Sequence, residues 1–206
     1  MTRILVATAN GGKAKEMHNL VDARDVTLIS AAEGGILPEV IEDGDTFTDN
    51  AVKKACACAS ANGMPAVADD SGLEVEALGG KPGVFSARYA GENATDEENL
   101  QKLLHALQDV PVDNRKARFV CVIAVALPRG IKGTAQGSLC GRIIQEPRGS
   151  NGFGYDPVFV PDGSERTLAE MGADEKNRIS HRARAIQAAC EKELFTNLQT
   201  DAQHTD

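Results

Sequence analysis

The longest apolar run of the chain, Ala117 to Leu127, limits its fold more than any other stretch. It is interrupted only by Arg118 and closed by Pro128-Arg129-Gly130, and it falls well short of the roughly 20 residues a membrane-spanning helix needs. Such a run, bounded by turn residues, reads as a long central strand. A hairpin partner is predicted over Thr134 to Ile144.

Shorter segments arrange themselves around it. Arg3 to Ala7 is a buried-type strand, Thr8 to Gly12 a polar Gly-rich turn, and Lys13 to Val21 a helix. Val26 to Ile29 is predicted as a strand and Thr48 to Ala61 as a helix stopped by Asn62-Gly63. Pro65 to Ala68 and Leu73 to Ala77 read as two strands separated by a turn. Thr95-Asp96-Glu97-Glu98 has the pattern of a capping box opening a helix to about Gln108. A second Gly-rich loop covers Gly149 to Pro157, followed by a short strand at Val158 to Val160 and a helical region from Thr167 to Leu198. This order predicts a single α/β domain over 1–199, with a twisted mixed sheet flanked by helices and a smaller lobe, and a polar tail at 200–206.

Composition narrows the function classes. The formal net charge of -8 argues against a surface that binds polymeric nucleic acid, which usually needs a basic patch. It leaves room for a small phosphorylated ligand held by a few converging cations. Met1-Thr2-Arg3-Ile4 runs straight into the first strand without a signal-peptide pattern, so a cytoplasmic protein with no membrane association is expected. Five cysteines, Cys56, Cys58, Cys121, Cys140 and Cys190, form no C-x-x-C pair and read as reduced, buried hydrophobes.

Five sets of residues carry candidate chemistry, each beside a plainer reading. Asp69-Asp70-Ser71-Gly72 delivers two carboxylates to the end of a predicted strand. That suits Mg²⁺, although an Asx-type turn uses the same residues. Thr8-Ala9-Asn10-Gly11-Gly12-Lys13 joins a strand to a helix N-terminus, where free N–H groups and the helix dipole favour phosphate. An ordinary tight turn is the alternative. Glu42 and Lys54 read as solvated charges when taken alone. Asn151 to Pro157 alternates glycines with Phe153 and Tyr155 in a chain that is only 4% aromatic, which fits either a stacking platform for a planar base or a hairpin corner. Lys176 and Ser180-His181-Arg182 offer donors to a base edge or a phosphate, or else form a basic helix face.

Thr8 to Lys13, Thr46-Phe47 through Asn50-Ala51, Ala68 to Leu73, Pro82-Gly83-Val84-Phe85-Ser86-Ala87-Arg88-Tyr89, Gly152 to Pro157 and Ile179 to Arg182 together resemble the signature blocks of the inosine/xanthosine triphosphate pyrophosphatase family. The blocks stand in the family's order from about residue 3 to 195. Ala9 is a departure, since the family usually carries Gly or Asn there.

The resemblance implies an active-site cleft between lobes, a homodimer, Mg²⁺, and cleavage of inosine, deoxyinosine or xanthosine triphosphate (ITP, dITP, XTP) to the monophosphate and pyrophosphate. It implies that Glu42 and Asp70 hold the metal, that Asp70 accepts the proton of the attacking water, and that Asp69 supports it. Thr8, Ala9, Asn10, Gly11, Gly12, Lys13, Lys54, Ser71 and Lys176 would bind the triphosphate, and Phe153, Gly154, Tyr155, Asp156, His181 and Arg182 would frame the base. A general metal-dependent nucleotide phosphohydrolase and a catalytically silent nucleotide-binding protein are the competing expectations.

Overall fold

The structure is a computed structural model and describes residues 2–21 and 26–198. The predicted tail at 200–206 lies outside the described residues. Six strands, β1 (Thr2–Val6), β2 (Val26–Ser30), β3 (Ala66–Val75), β4 (Lys116–Leu127), β5 (Gly130–Ile143) and β6 (Phe159–Pro161), form one sheet in the order β2-β1-β3-β4-β5-β6. β1 runs parallel to both β2 and β3, pairing Ile4 with Leu28 and Val6 with Val67. β5 and β6 are antiparallel, and only Pro128-Arg129 separates the neighbouring strands β4 and β5, a connection that antiparallel strands alone permit. The sheet is therefore mixed, as expected for this α/β chain.

Local chemistry sets the helix ends. In α1 (Gly11–Val21) Asn10 caps the first turn, its Oδ1 accepting from the Lys13 backbone N–H at 3.0 Å. A short helix that the sequence did not signal, α2 (Ala31–Gly34), follows β2. Thr46 caps α3 (Phe47–Asn62) by accepting from the Asp49 N–H, and Gly63 ends it in the left-handed conformation at φ 61°. The predicted capping box opens α4 (Asp96–Ala106), with Thr95 and Glu98 exchanging hydrogen bonds.

The chain packs as two compact units. Among the described residues the first comprises 2–21, 26–70, 122–136 and 185–198; Ile4, Leu5, Met17, Ala51, Ala55, Cys58 and Val122 to Ala126 are among its buried residues. The second comprises Ser71–Cys121 and Gly137–Arg184, and its core gathers Leu73, Leu100, Leu103, Leu107, Phe119, Leu139, Ile143, Tyr155, Phe159 and Leu168. At Gly141 a side chain would meet the Val160 carbonyl oxygen at 2.3 Å, so glycine is what lets β6 pair this closely with β5.

Three expectations are corrected. Asp69 to Gly72 is not a turn but the middle of one continuous ten-residue strand, β3, with Asp69 and Asp70 both buried. The helical region from Thr167 is not continuous but a 3-10 turn at Leu168–Glu170, α5 (Ala173–Ile179) and α6 (His181–Glu191), because Met171 and Gly172 before α5 and Ser180 after it take extended backbone, with ψ of 148°, 160° and 153°. None of the cysteines is in a disulfide, but only Cys58 and Cys121 are buried; Cys56 and Cys190 are half-buried and Cys140 is exposed. Burial raises the Cys56 thiol above its ordinary range, and Cys58 likewise, where a hydrogen bond from Asn62 partly opposes the rise.

With no disulfide to break, addition of a reducing agent is expected to leave the thermal midpoint unchanged. Paired melting curves with and without dithiothreitol check this, and a drop on reduction would reveal a cross-link.

Candidate functional site

Within the first unit, five of the predicted residues meet. Successive side chains of a strand point to opposite faces, so the neighbouring carboxylates of β3 are served by different cations. Asp69 pairs with Lys13 from the first turn of α1 at 3.4 Å. Asp70 pairs with Lys54 from α3 at 2.9 Å, and the same ammonium lies 3.2 Å from Glu42. Lys13 is thus a cation in a helix first turn that carries no acidic residue, with its compensating charge supplied by a neighbouring strand.

The electrostatics follow from burial. Desolvation is the largest influence on Asp70 and raises its carboxyl above the ordinary range; Lys54 and Lys13 pull the other way without cancelling it. For Lys54, burial alone would lower the pKa, but Asp70, Glu42 and Asp69 together outweigh it and the ammonium is held more firmly than usual. The plain reading of Glu42 and Lys54 as solvated charges does not hold for Lys54, whose side chain is 13% exposed.

Glu42 and Asp70, two hard carboxylates facing one point, are a donor set that could hold Mg²⁺, which is usually bound by one or two carboxylates together with water and phosphate oxygens. Among the described residues no group of three or more His, Cys, Asp or Glu side chains is placed to hold a metal ion. The loop before α1 is open: Ala9, Asn10, Gly11 and Gly12 are exposed, and Thr8 Oγ1 accepts from the Asn10 N–H at 3.1 Å.

Within the second unit, the Gly-rich loop closes on itself. Asp156 is buried and its Oδ2 accepts from the Phe153 N–H at 3.0 Å and from the Lys176 ammonium at 2.6 Å. That ammonium also sits 4.7 Å from the centre of the Phe153 ring. Gly154 donates its N–H to Asp96 at 2.8 Å, a partner the sequence did not point to. Tyr155 is drawn into the core, its hydroxyl donating to the Ser86 carbonyl at 2.9 Å, and burial raises its pKa above the usual tyrosine range. Phe153 is left as the half-buried aromatic of this loop.

The basic-face reading of residues 180–182 is overturned, since Ser180, His181 and Arg182 are all buried. Arg182 donates to Ser71 Oγ at 3.0 Å. His181 stacks on Phe119 with ring centres 4.8 Å apart and planes 12° from parallel, while Phe119 also packs against Phe159 at 4.7 Å. Phe119 carried no local signal, because in the sequence it is one more apolar residue of the central run.

Residues 4–192 match the Ham1 family. The chain belongs to that family. It is 51% identical over 186 residues to a Geobacter sulfurreducens protein named dITP/XTP pyrophosphatase, covering 90% of this chain and 94% of that one. A Bacillus subtilis protein of the same name is 46% identical over the same shares of the two chains. Among solved structures, a HAM1 protein from Coxiella burnetii superposes with a TM-score of 0.83 at 43% identity, covering 94% of this chain and all of that one. In this Ham1 family member the alternation of glycine and aromatic residues is therefore a built loop, with glycine required at two levels. Gly152 sits at φ 78°, and a side chain there would meet Asp156 Oδ2 at 2.0 Å.

Gly152→Ala is expected to combine left-handed backbone strain of about 1–3 kcal/mol with displacement of the Asp156 carboxylate from Lys176. The check is a chemical denaturation curve for the variant. Native-like stability would show that the loop can shift without loss.

Proposed function

We propose that this protein hydrolyses non-standard purine nucleoside triphosphates, ITP, dITP and XTP, between the α- and β-phosphates, releasing a nucleoside monophosphate and pyrophosphate and so cleansing the nucleotide pool. The observation that carries the proposal is the convergence of Glu42 and Asp70 on one largely shielded ammonium, that of Lys54. The names of its close relatives support the substrate class.

The roles divide along the chain. Glu42 and Asp70 would hold Mg²⁺, which when bound supplies charge neutralisation and Lewis acidity toward the triphosphate. Asp70 would take the proton from the attacking water, as a carboxylate beside the ion can. Lys13, Lys54 and Lys176 offset the negative charge of the phosphates, with Thr8 to Gly12 and Ser71 adding hydrogen-bond donors, while Asp69 holds Lys13 in place. Phe153 provides an aromatic face for the base, with Gly154, Tyr155 and Asp156 shaping the loop around it. His181 and Arg182 offer donors to a 6-keto oxygen. Adenine would set its 6-amino donor against theirs, and leaving buried donors unpaired discriminates steeply. A homodimer and a cytoplasmic location complete the proposal. Among the described residues no helix is long and apolar enough to cross a membrane.

The test is a panel of nucleoside triphosphates with Mg²⁺ and product identification. Pyrophosphate from the three keto-purine substrates, with far slower adenosine triphosphate turnover, is expected; release of orthophosphate would favour a general phosphohydrolase. Asp70→Asn should abolish nearly all turnover in a folded protein, since it removes both the proton acceptor and half the carboxylate pair. Lys13→Ala should weaken every triphosphate alike, because an ammonium reads charge and not base identity. A collapse of the ITP-to-ATP ratio in that variant would move Lys13 to the base.

A further inference from the structure

Asn50 stands on the first full turn of α3, is completely buried, and has no part in the roles assigned above. A buried amide must place both its acceptor and its donors. Its Oδ1 accepts from the Gly44 backbone N–H at 2.8 Å. Because that N–H can only donate, the orientation of the amide is fixed, and the NH₂ group is left facing two acceptors: the Gly44 carbonyl and Asp70 Oδ2, each at 3.5 Å. One side chain therefore grips both polar groups of a loop residue and reaches the carboxylate of β3.

Gly44 lies two residues beyond Glu42, in a stretch with no regular structure between α2 and α3. The fit at Gly44 is close: a side chain there would meet Asn50 Oδ1 and Asp49 Cβ, each at 2.7 Å. The two oxygens of Asp70 are divided, Oδ1 to Lys54 at 2.9 Å and Oδ2 toward Asn50.

We propose that Asn50 is the positioning residue of the cation site: its amide ties the loop that carries Glu42 to Asp70, so that two carboxylates from distant parts of the chain stand at a set spacing for one divalent ion. This rests on the reading of Glu42 and Asp70 as the ion-holding pair. Without the tie, the Glu42 loop is held by contacts to lysines, the exposed Asp43–Lys53 pair and the reach of Glu42 to Lys54, and a divalent ion that displaces the Lys54 ammonium would have to set the spacing of the two carboxylates itself. Groups that orient metal ligands in this way typically contribute 10–100-fold in ion affinity.

The experiment titrates Mn²⁺ alone, followed by electron paramagnetic resonance of the free ion with Mg²⁺ as competitor, into wild type, Asn50→Ala, Gly44→Ala and Glu42→Gln. Gly44→Ala leaves Asn50 in place and displaces its amide from the other side, and so decides the matter if Asn50→Ala does not fold. Both variants are expected to bind Mn²⁺ about 10–100-fold more weakly. Turnover at saturating Mg²⁺ should fall far less than ion affinity. Wild-type ion affinity in Asn50→Ala and Gly44→Ala, with Glu42→Gln having lost it, would overturn the positioning role and leave the carboxylate pair standing. A loss of turnover that no concentration of Mg²⁺ restores, with ion affinity unchanged, would make Asn50 a structural residue only. Undiminished binding by Glu42→Gln, or none by wild type, would remove the carboxylate-pair reading and this proposal with it.

Discussion

A buried lysine cannot be left without compensation, and the ammonium of Lys54 sets the terms for the first unit of this protein. Its side chain is 13% exposed, and two carboxylates meet it. The two arms are unequal. Asp70 is 8% exposed and 2.9 Å away, whereas Glu42 is 36% exposed and 3.2 Å away, so solvent screens the second arm far more than the first. The Asp70 arm decides where Lys54 sits, and Glu42 is the adjustable member, carried by a loop. Removing one partner of such a buried pair generally leaves an uncompensated charge worth about 3–5 kcal/mol. The three residues are therefore bound together by folding as well as by chemistry.

The second unit solves the same problem with different parts. Lys176 and Asp156 are 6% and 3% exposed and 2.6 Å apart, and the carboxylate is further satisfied by the Phe153 N–H. Here the loop is shaped by glycine: Gly152 leaves the space that Asp156 occupies, and Gly154 takes a φ of 61° while its N–H reaches Asp96. The ordering of this loop is thus supplied by polar contacts to α4 and α5 and by the Tyr155 hydroxyl on Ser86. A half-buried phenylalanine held by such contacts has little freedom left to lose, which is what the proposed base-stacking role calls for.

How much of this was legible follows from the range of the interactions. The central run became β4, the hairpin partner became β5, and the Thr95–Glu98 capping box formed as read, because each is written in adjacent residues. Asp69 to Gly72 was misread as a turn because its composition is turn-like and strands ordinarily exclude Asp and Gly. What keeps it extended is remote: Lys54 lies 16 residues from Asp70, and Arg182 lies 111 residues from Ser71. The same range hid Asn50, whose three contacts in space look in sequence like one polar residue in a helix. The break between α5 and α6 falls at Ser180 with no proline or glycine to announce it, and Cys140 is exposed because β5 alternates, burying Leu139 and Gly141 and turning Cys140 outward.

Asp69, Asp70 and Ser71 are consecutive, yet each engages a different cation: Lys13, Lys54 and Arg182. Only an extended backbone allows this, since a strand turns successive side chains to opposite faces and advances about 3.3 Å per residue. A turn at this position would have brought the carboxylates together to compete for a single partner. The register of β3 against β1, with Leu5 opposite Ala66 and Val6 opposite Val67, therefore fixes more than packing. A slip of one residue would exchange the faces of Asp69 and Asp70, carrying the proposed proton acceptor to Lys13 and its supporting neighbour to Lys54. Ala66, Val67 and Ala68 are all fully buried, so the acidic pair continues a strand whose first half is seated in the core beside β1.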